Sequence, residues 1–368
     1  MQFIDLKTQS NRIEARVFAR FKTILNHASY IMGPEVAELE HALAEFVGVE
    51  HALGVASGTD ALLIALMALD VGAGDEVITS PFSFFATAEV IALLGATPVF
   101  VDIDPLTYNI DVNLIEAAIT KKTKAIMPVS LYGQCADFDA INALAARYAL
   151  PVIEDAAQSF GAMYHGRRSC GLTTIGCTSF FPSKPLGGYG DAGACFTNDS
   201  ELMLRMKEIR LHGQSQRYLH TRLGINGRLD TLQAAILLEK LVIFPDELKL
   251  RKEVADRYHT LLPNEVRKPV TKLGHTNVFA QYTIEVSARN DVQEGLQQRG
   301  IPTAVHYPLG LHEQPIMKTM FPGKQSFPMT EHASKHVMSL PMHPYLLLAD
   351  QQRIASALED VLQKVDAS

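Results

Sequence analysis

The stretch HALGVASGTDALLIALMAL, residues 51–69, runs an apolar strand (His51 to Ser57) through a Ser57-Gly58-Thr59 turn into a helix, Thr59 to Leu69, that is apolar almost all round. A helix without a polar face is buried on every side. Upstream, Pro34-Glu35 opens a helix through Val47. Downstream, Glu76 to Thr79, Pro98 to Asp102, Lys124 to Ser130 and Leu150 to Asp155 recur as short apolar runs with helically spaced segments between them. Repeated strand and helix predict an α/β fold with a mainly parallel sheet covered on both faces. Cys177 to Phe181 and Ala194 to Thr197 are joined by a glycine-rich turn with no room for a crossover helix, so the sheet is mixed there. Helices come next at Glu201 to Leu211 and from Asp230 to near Lys249. A smaller C-terminal α+β unit completes the chain, with strands at Val278 to Val286 and Thr303 to His306 and helices at Val292 to Arg299 and Ala349 to Val365. The expected division is a large domain over 1–245 and a small one over 246–368.

Composition narrows the function classes. The chain has 368 residues, 33 Lys and Arg against 40 Asp and Glu, and a formal charge of −7. An acidic chain without basic runs has no field to hold a polyanion, so nucleic acid is not expected as a partner. The longest apolar run, Ala61 to Leu69, falls far short of the roughly 20 residues a bilayer requires, and Met1 to Lys7 lacks a signal-peptide design, so no membrane association is expected. The four cysteines, with no C-x-x-C among them, read as reduced thiols of a cytoplasmic protein. The thirteen histidines show no metal-ligand spacing, and no metal is expected.

In an open parallel sheet, ligands bind beyond the carboxyl ends of the strands. At Ser57-Gly58-Thr59, free N–H groups at a helix start suit a phosphate, or simply an N-cap. Asp155 ends an apolar strand, so its carboxylate needs a cationic or N–H partner, which a structural ion pair also provides. Lys184 lies where an aromatic strand meets the Gly187-Gly188 turn; alone, most lysines are solvated surface groups. Gly188, Gly190 and Gly193 spell G-x-G-x-x-G, but Ala194 to Thr197 continue as strand, whereas a nicotinamide fingerprint must open a helix.

Taken together, Ser57-Gly58-Thr59-Asp60-Ala61-Leu62, Glu154-Asp155-Ala156-Ala157-Gln158, Ser179 with Lys184, Asn226-Gly227-Arg228-Leu229, His306-Tyr307-Pro308 and Ser339-Leu340-Pro341 resemble the DegT/DnrJ/EryC1/StrS sugar aminotransferases, over essentially the whole chain. The resemblance implies a fold-type I transferase using pyridoxal 5′-phosphate (PLP), which alternates with its pyridoxamine form (PMP). It implies Lys184 as the Schiff-base lysine and Asp155 as the carboxylate beneath the pyridine nitrogen. It further implies Phe84 stacked on the ring, Gln158 at the 3-hydroxyl, and Gly58, Thr59 and Ser179 at the phosphate. Asn226 would reach the phosphate of a neighbouring subunit, which implies a homodimer with shared active sites. His306 and Tyr307 would line the sugar-nucleotide site and Tyr30 would border it. Some relatives that dehydrate sugars carry histidine at the Schiff-base position; lysine here implies transamination.

The implied substrates are a nucleotide-linked keto-sugar and L-glutamate. The stretches 128–142, 177–186 and 228–237 are similar to the subgroup that aminates carbon 3 of UDP-2-acetamido-2-deoxy-ribo-hexuluronate for bacterial surface polysaccharide such as O-antigen. A 4-keto-6-deoxy nucleotide sugar is the alternative acceptor, and an NAD-dependent oxidoreductase the remote alternative function. A uronate needs a cationic partner, for which Arg228, Arg210 and His212 stand unranked.

Overall fold

The computed structural model describes residues 1–323 and 325–366. Helices α1 (Leu6–His27) and α2 (Pro34–Val47) lead into β1 (His51–Val55). The alternation then runs α3 (Gly58–Ala68), β2 (Glu76–Thr79), α4 (Ala86–Leu93), β3 (Thr97–Phe100), α5 (Val112–Ala118), β4 (Thr123–Met127), α6 (Phe138–Arg147) and β5 (Ile153–Asp155). A small ribbon, β6 (Met163–Tyr164) with β7 (Arg167–Arg168), precedes β8 (Ile175–Ser179), β9 (Gly193–Thr197) and α7 (Ser200–Arg210). A second ribbon, β10 (Gln214–Gln216) with β11 (Leu219–His220), leads to α8 (Thr231–Leu261). The remainder is β12 (Tyr282–Glu285), α9 (Arg289–Gln298), α10 (Pro315–Met320), α11 (Pro328–His336), β13 (Val337–Leu340) and α12 (Leu348–Asp366).

Two ladders, β3-β2-β4 and β5-β8-β9-β1, are joined by parallel bridges from Ile126 to Val152 and Val129 to Asp155, giving the order β3-β2-β4-β5-β8-β9-β1. Only β9 runs against the others. The carboxyl ends of β1, β2, β5 and β8 therefore share one edge, and reversed β9 delivers its first residue, Gly193, to that edge too. Because Gly193 begins a strand, the three glycines of the dinucleotide-like motif open no helix. Helix α3 is buried through Ala61, Leu62, Ile64, Ala65, Leu66 and Ala68. That fits its lack of a polar face.

Helix α8 continues well past Lys249, with Pro245 inside it. Its first half packs Ala234, Leu237, Leu238 and Phe244 with α2 and the β8–β9 region; its second half packs Val254, Ala255 and Tyr258 with β12, β13 and α12. The C-terminal strands differ from expectation. Only Tyr282–Glu285 of the 278–286 run is strand, since Phe279 takes a left-handed φ of 46° and breaks the ladder. The 303–306 segment forms one bridge, Ala304 to Ser339, and the ladder partner of β12 is the unforeseen β13. Helix α1 was also unforeseen; Asp5 caps it through Thr8 N–H at 2.9 Å, and Ile13 and Val17 pack on Ile236 and Ile243 of α8. Among the described residues no helix is long and apolar enough to cross a membrane.

One buried cation gives a stability prediction. Lys240 is 1% exposed, its ammonium lies 4.4 Å from the Tyr189 ring centre, and among the described residues it has no hydrogen-bond partner. Burial lowers its pKa to about 8, against the pull of Glu247. The folded pKa lies below the unfolded one, so the cost is full below pH 8 and disappears as pH rises toward 10.5. That cost, on the order of 3 kcal/mol, exceeds a cation–π gain of about 1–2 kcal/mol. Lys240→Met should thus raise the melting temperature at pH 7, by a margin that shrinks toward pH 10. Equal gains at both pH values would show that charge burial is not the cause.

Candidate active site

The shared strand edge gathers most of the expected residues. Ser57 caps α3, its hydroxyl accepting from Asp60 N–H at 3.0 Å. The N–H groups of Gly58 and Thr59 have no partner among the described residues and stand at the positive end of the helix. Ser179, ending β8, lies against Gly58 so closely that a Cβ there would meet the Ser179 Cβ at 2.6 Å. Only glycine leaves this cradle open for an anion.

Asp155 ends β5 in the middle of the sheet, 5% exposed. Its Oδ2 accepts from Thr87 Oγ1 at 2.8 Å and its Oδ1 from Ala157 N–H at 3.2 Å. Thr87 is in turn held by Ser83 Oγ at 2.9 Å. Burial raises the Asp155 pKa despite these bonds and despite the nearby charge of Lys184. A carboxylate so placed is short of positive partners.

Lys184 lies beyond β8 in a compact turn closed by its own N–H to Phe181 O at 2.9 Å and by Gly188 N–H to Phe180 O at 2.7 Å. A Cβ at Gly187 would meet the carbonyls of Phe181 and Pro182 at 2.6 Å, which is why the turn needs glycine. Burial lowers the pKa of the Lys184 amine, with Asp155 opposing. Lys184 and Asp155 are thus close enough for each charge to act on the other.

Gln158 is buried, its Oε1 accepting from Tyr132 N–H at 2.8 Å and its Nε2 donating to the Tyr307 hydroxyl at 3.0 Å. The Tyr307 ring stands 6.4 Å from that of Phe84, which is 57% exposed at the mouth of the site. His306 Nδ1 lies 3.0 Å from Ser339 Oγ. Burial, and then the charge of Lys184, lower the His306 pKa to about 4, so the ring is neutral at physiological pH.

Three expected residues stand apart. Asn226 and Arg228 line a cavity of about 460 Å³ with Ile31, Ala56, Gly190, Asp191, Asp230 and Gln233, without Lys184 or Asp155. Tyr30 is exposed beside it, its carbonyl accepting from Thr231 N–H at 3.1 Å. The unranked cations now separate. Arg210 is buried and spent on Glu40 at 2.6 Å and Gly54 O at 2.7 Å. His212 is exposed on a turn. Arg228 makes no ion pair with any described residue, and its Nε is buried without a partner. Thr87, Tyr132 and Ser339 were missed as site residues; the only local hint was that Thr87 sits one turn beyond Phe84.

The cradle at Gly58, the buried acid at Asp155 and the amine at Lys184 fit the phosphate, ring nitrogen and aldehyde of PLP. Comparison with known proteins gives the family. The chain is 56% identical over 97% of its length to a Pseudomonas aeruginosa UDP-2-acetamido-2-deoxy-3-oxo-D-glucuronate aminotransferase, covering 99% of that protein. A crystal structure of a DegT DnrJ EryC1 StrS aminotransferase from Brucella abortus superposes with a TM-score of 0.95 at 44% identity, covering 98% of this chain and 99% of that one. The ntda protein of Bacillus subtilis, solved with bound PMP, matches with a TM-score of 0.92 at 32% identity, covering 99% of this chain and 85% of that one. With the DegT/DnrJ/EryC1/StrS aminotransferase family model matching residues 11–359 as well, the chain belongs to that family.

Proposed function

We propose that this protein is a PLP-dependent aminotransferase that moves the amino group of L-glutamate to carbon 3 of a UDP-linked 2-acetamido-2-deoxy-3-keto-hexuluronate, supplying an amino sugar for bacterial surface polysaccharide such as O-antigen. The observation that carries the reading is the buried Asp155 carboxylate and the half-buried Lys184, close enough for each charge to act on the other, at the strand edge that also holds the Gly58 cradle. PLP supplies an electron sink for the carbanion formed when an amino acid or amino sugar loses its α-proton.

This chain's own residues do the rest. Asp155 presents negative charge to the ring nitrogen, and Thr87 and Ala157 fix its oxygens. Gly58, Thr59 and Ser179 hold the phosphate. Lys184 anchors the aldehyde and then carries the proton between substrate carbon and cofactor. A lowered pKa leaves more of its amine neutral for both tasks. With Arg210 held by Glu40 and the Gly54 carbonyl and His212 exposed on a turn, Arg228, which makes no ion pair with a described residue, takes the uronate.

Asn226 and Arg228 line a cavity that lacks Lys184 and Asp155 and that they share with exposed Ile31, and exposed Tyr30 adjoins it in sequence. A second copy that covers this surface brings Asn226 to the neighbouring phosphate and Arg228 to the neighbouring sugar, so the working unit is a homodimer. A cytoplasmic setting fits its four free, buried thiols.

Mass-spectrometric screening of UDP-, GDP- and dTDP-linked keto-sugars with glutamate tests the assignment: the UDP-3-keto-uronate should gain an amine, and gain by 4-keto sugars alone would overturn it. Arg228→Met should raise KM for the uronate about 10- to 100-fold, the worth of a charged hydrogen bond, while a neutral 3-keto analogue changes little. An equal rise for both sugars would remove Arg228 from carboxylate recognition.

A further inference from the structure

Tyr132 sits in the turn after β4 with a left-handed φ of 58°, a conformation that costs a bulky side chain energy and persists only where surroundings over-determine it. Three contacts do so. Its N–H donates to Gln158 Oε1 at 2.8 Å, its hydroxyl donates to the His306 carbonyl, and its ring packs edge-on to Tyr108 at 5.5 Å. A backbone N–H can only donate, so the Gln158 atom facing it is the oxygen and the amide nitrogen must face the other way. That nitrogen donates to the Tyr307 hydroxyl at 3.0 Å, and Tyr307 is bonded covalently to His306. Tyr132, Gln158, Tyr307 and His306 thus form a closed circuit between the end of β4 and the segment beyond α9.

The donor count shows what the circuit achieves. One Gln158 N–H is spent on Tyr307; the second has no described partner. The Tyr307 oxygen accepts from Gln158, so its own proton is unspent. Buried donors demand acceptors. Both protons are therefore free to meet an oxygen outside this circuit.

We propose that Tyr132 is a positioning residue for the acceptor sugar: its N–H sets the Gln158 amide, and its hydroxyl separately sets the His306–Tyr307 turn. The assignment rests on the aminotransferase reading. The two tasks use different atoms, so Tyr132→Phe removes only the second. Ring packing and the Gln158 amide stay as they are.

The test measures the two half-reactions of the PLP-loaded enzyme separately. Tyr132→Phe should keep the visible spectrum of the lysine-bound cofactor and react with glutamate within about twofold of wild type. Its KM for the keto-sugar should rise about 10-fold, the loss of one buried hydrogen bond. An unchanged sugar KM, or an equal loss in both half-reactions, overturns the proposal. Failure of the wild-type enzyme to react with glutamate defeats the aminotransferase reading instead. Should Tyr132→Phe give no soluble enzyme, Ser339→Ala, which frees the same turn at the His306 ring, is judged by the same split.

Discussion

Lys184→Ala is expected to lower amino transfer by at least about 10⁴-fold, because it removes both the imine-forming amine and the group that moves the proton. The fold should survive. The Lys184 N–H that closes its turn belongs to the backbone and remains in the variant, and the side chain makes no hydrogen bond to a described residue. Losing the ammonium relieves its burial but also takes away a cation that acts on Asp155, two opposed effects that leave the cofactor-free protein's stability little changed. Lys184→Arg separates charge from chemistry. A guanidinium keeps the positive charge near Asp155 but stays protonated and forms no imine. Both variants should be equally inactive in a glutamate-coupled assay at unchanged melting temperature. If Lys184→Arg kept more than about a hundredth of the wild-type rate, charge and not nucleophilicity would be what position 184 supplies. In wild type, a step that needs the neutral amine should quicken as pH rises through the lowered pKa of Lys184, and flatten above it.

Residues whose role comes from local pattern are legible in the sequence. The apolar helix after Ser57, the strand ending at Asp155 and the glycine turn beyond Lys184 each carry a short-range signal, and parallel strands place such ends on one edge. Helix α1 escaped because its buried residues, Gln9, Ile13, Val17 and Ile24, form a narrow and partly polar stripe. β13 escaped because Val337–Leu340 continues from α11 without a break and becomes strand only by pairing with β12, more than fifty residues earlier. Arg210, His212 and Arg228 are equivalent in sequence; Glu40 consumes Arg210 from 170 positions away. Thr87, Tyr132 and Ser339 act through neighbours in space, and no spacing rule reaches them.

Asp155→Asn should separate stability from activity in opposite directions. The burial that raises the Asp155 pKa outweighs the bonds from Thr87 and Ala157, so the ionised carboxylate is a net burden on the cofactor-free fold. Because its folded pKa is raised, the native state binds the proton more tightly than the unfolded chain. Its stabilising contribution is whole below the unfolded value of 3.8 and is lost as pH rises through the folded pKa. Asparagine keeps an acceptor for Thr87 and gives up the weaker 3.2 Å bond from Ala157. At pH 7 the cofactor-free variant should therefore melt above wild type, by a margin that closes as pH falls toward 3.8. Turnover should drop roughly 10³-fold, since a neutral amide cannot hold the ring nitrogen in its protonated, electron-withdrawing state. A cofactor analogue methylated at that nitrogen carries the charge permanently and should restore part of the rate to Asp155→Asn while doing nothing for Lys184→Ala. Rescue of neither variant would place the deficit in cofactor binding, and rescue of both would dissolve the division of labour between the two residues.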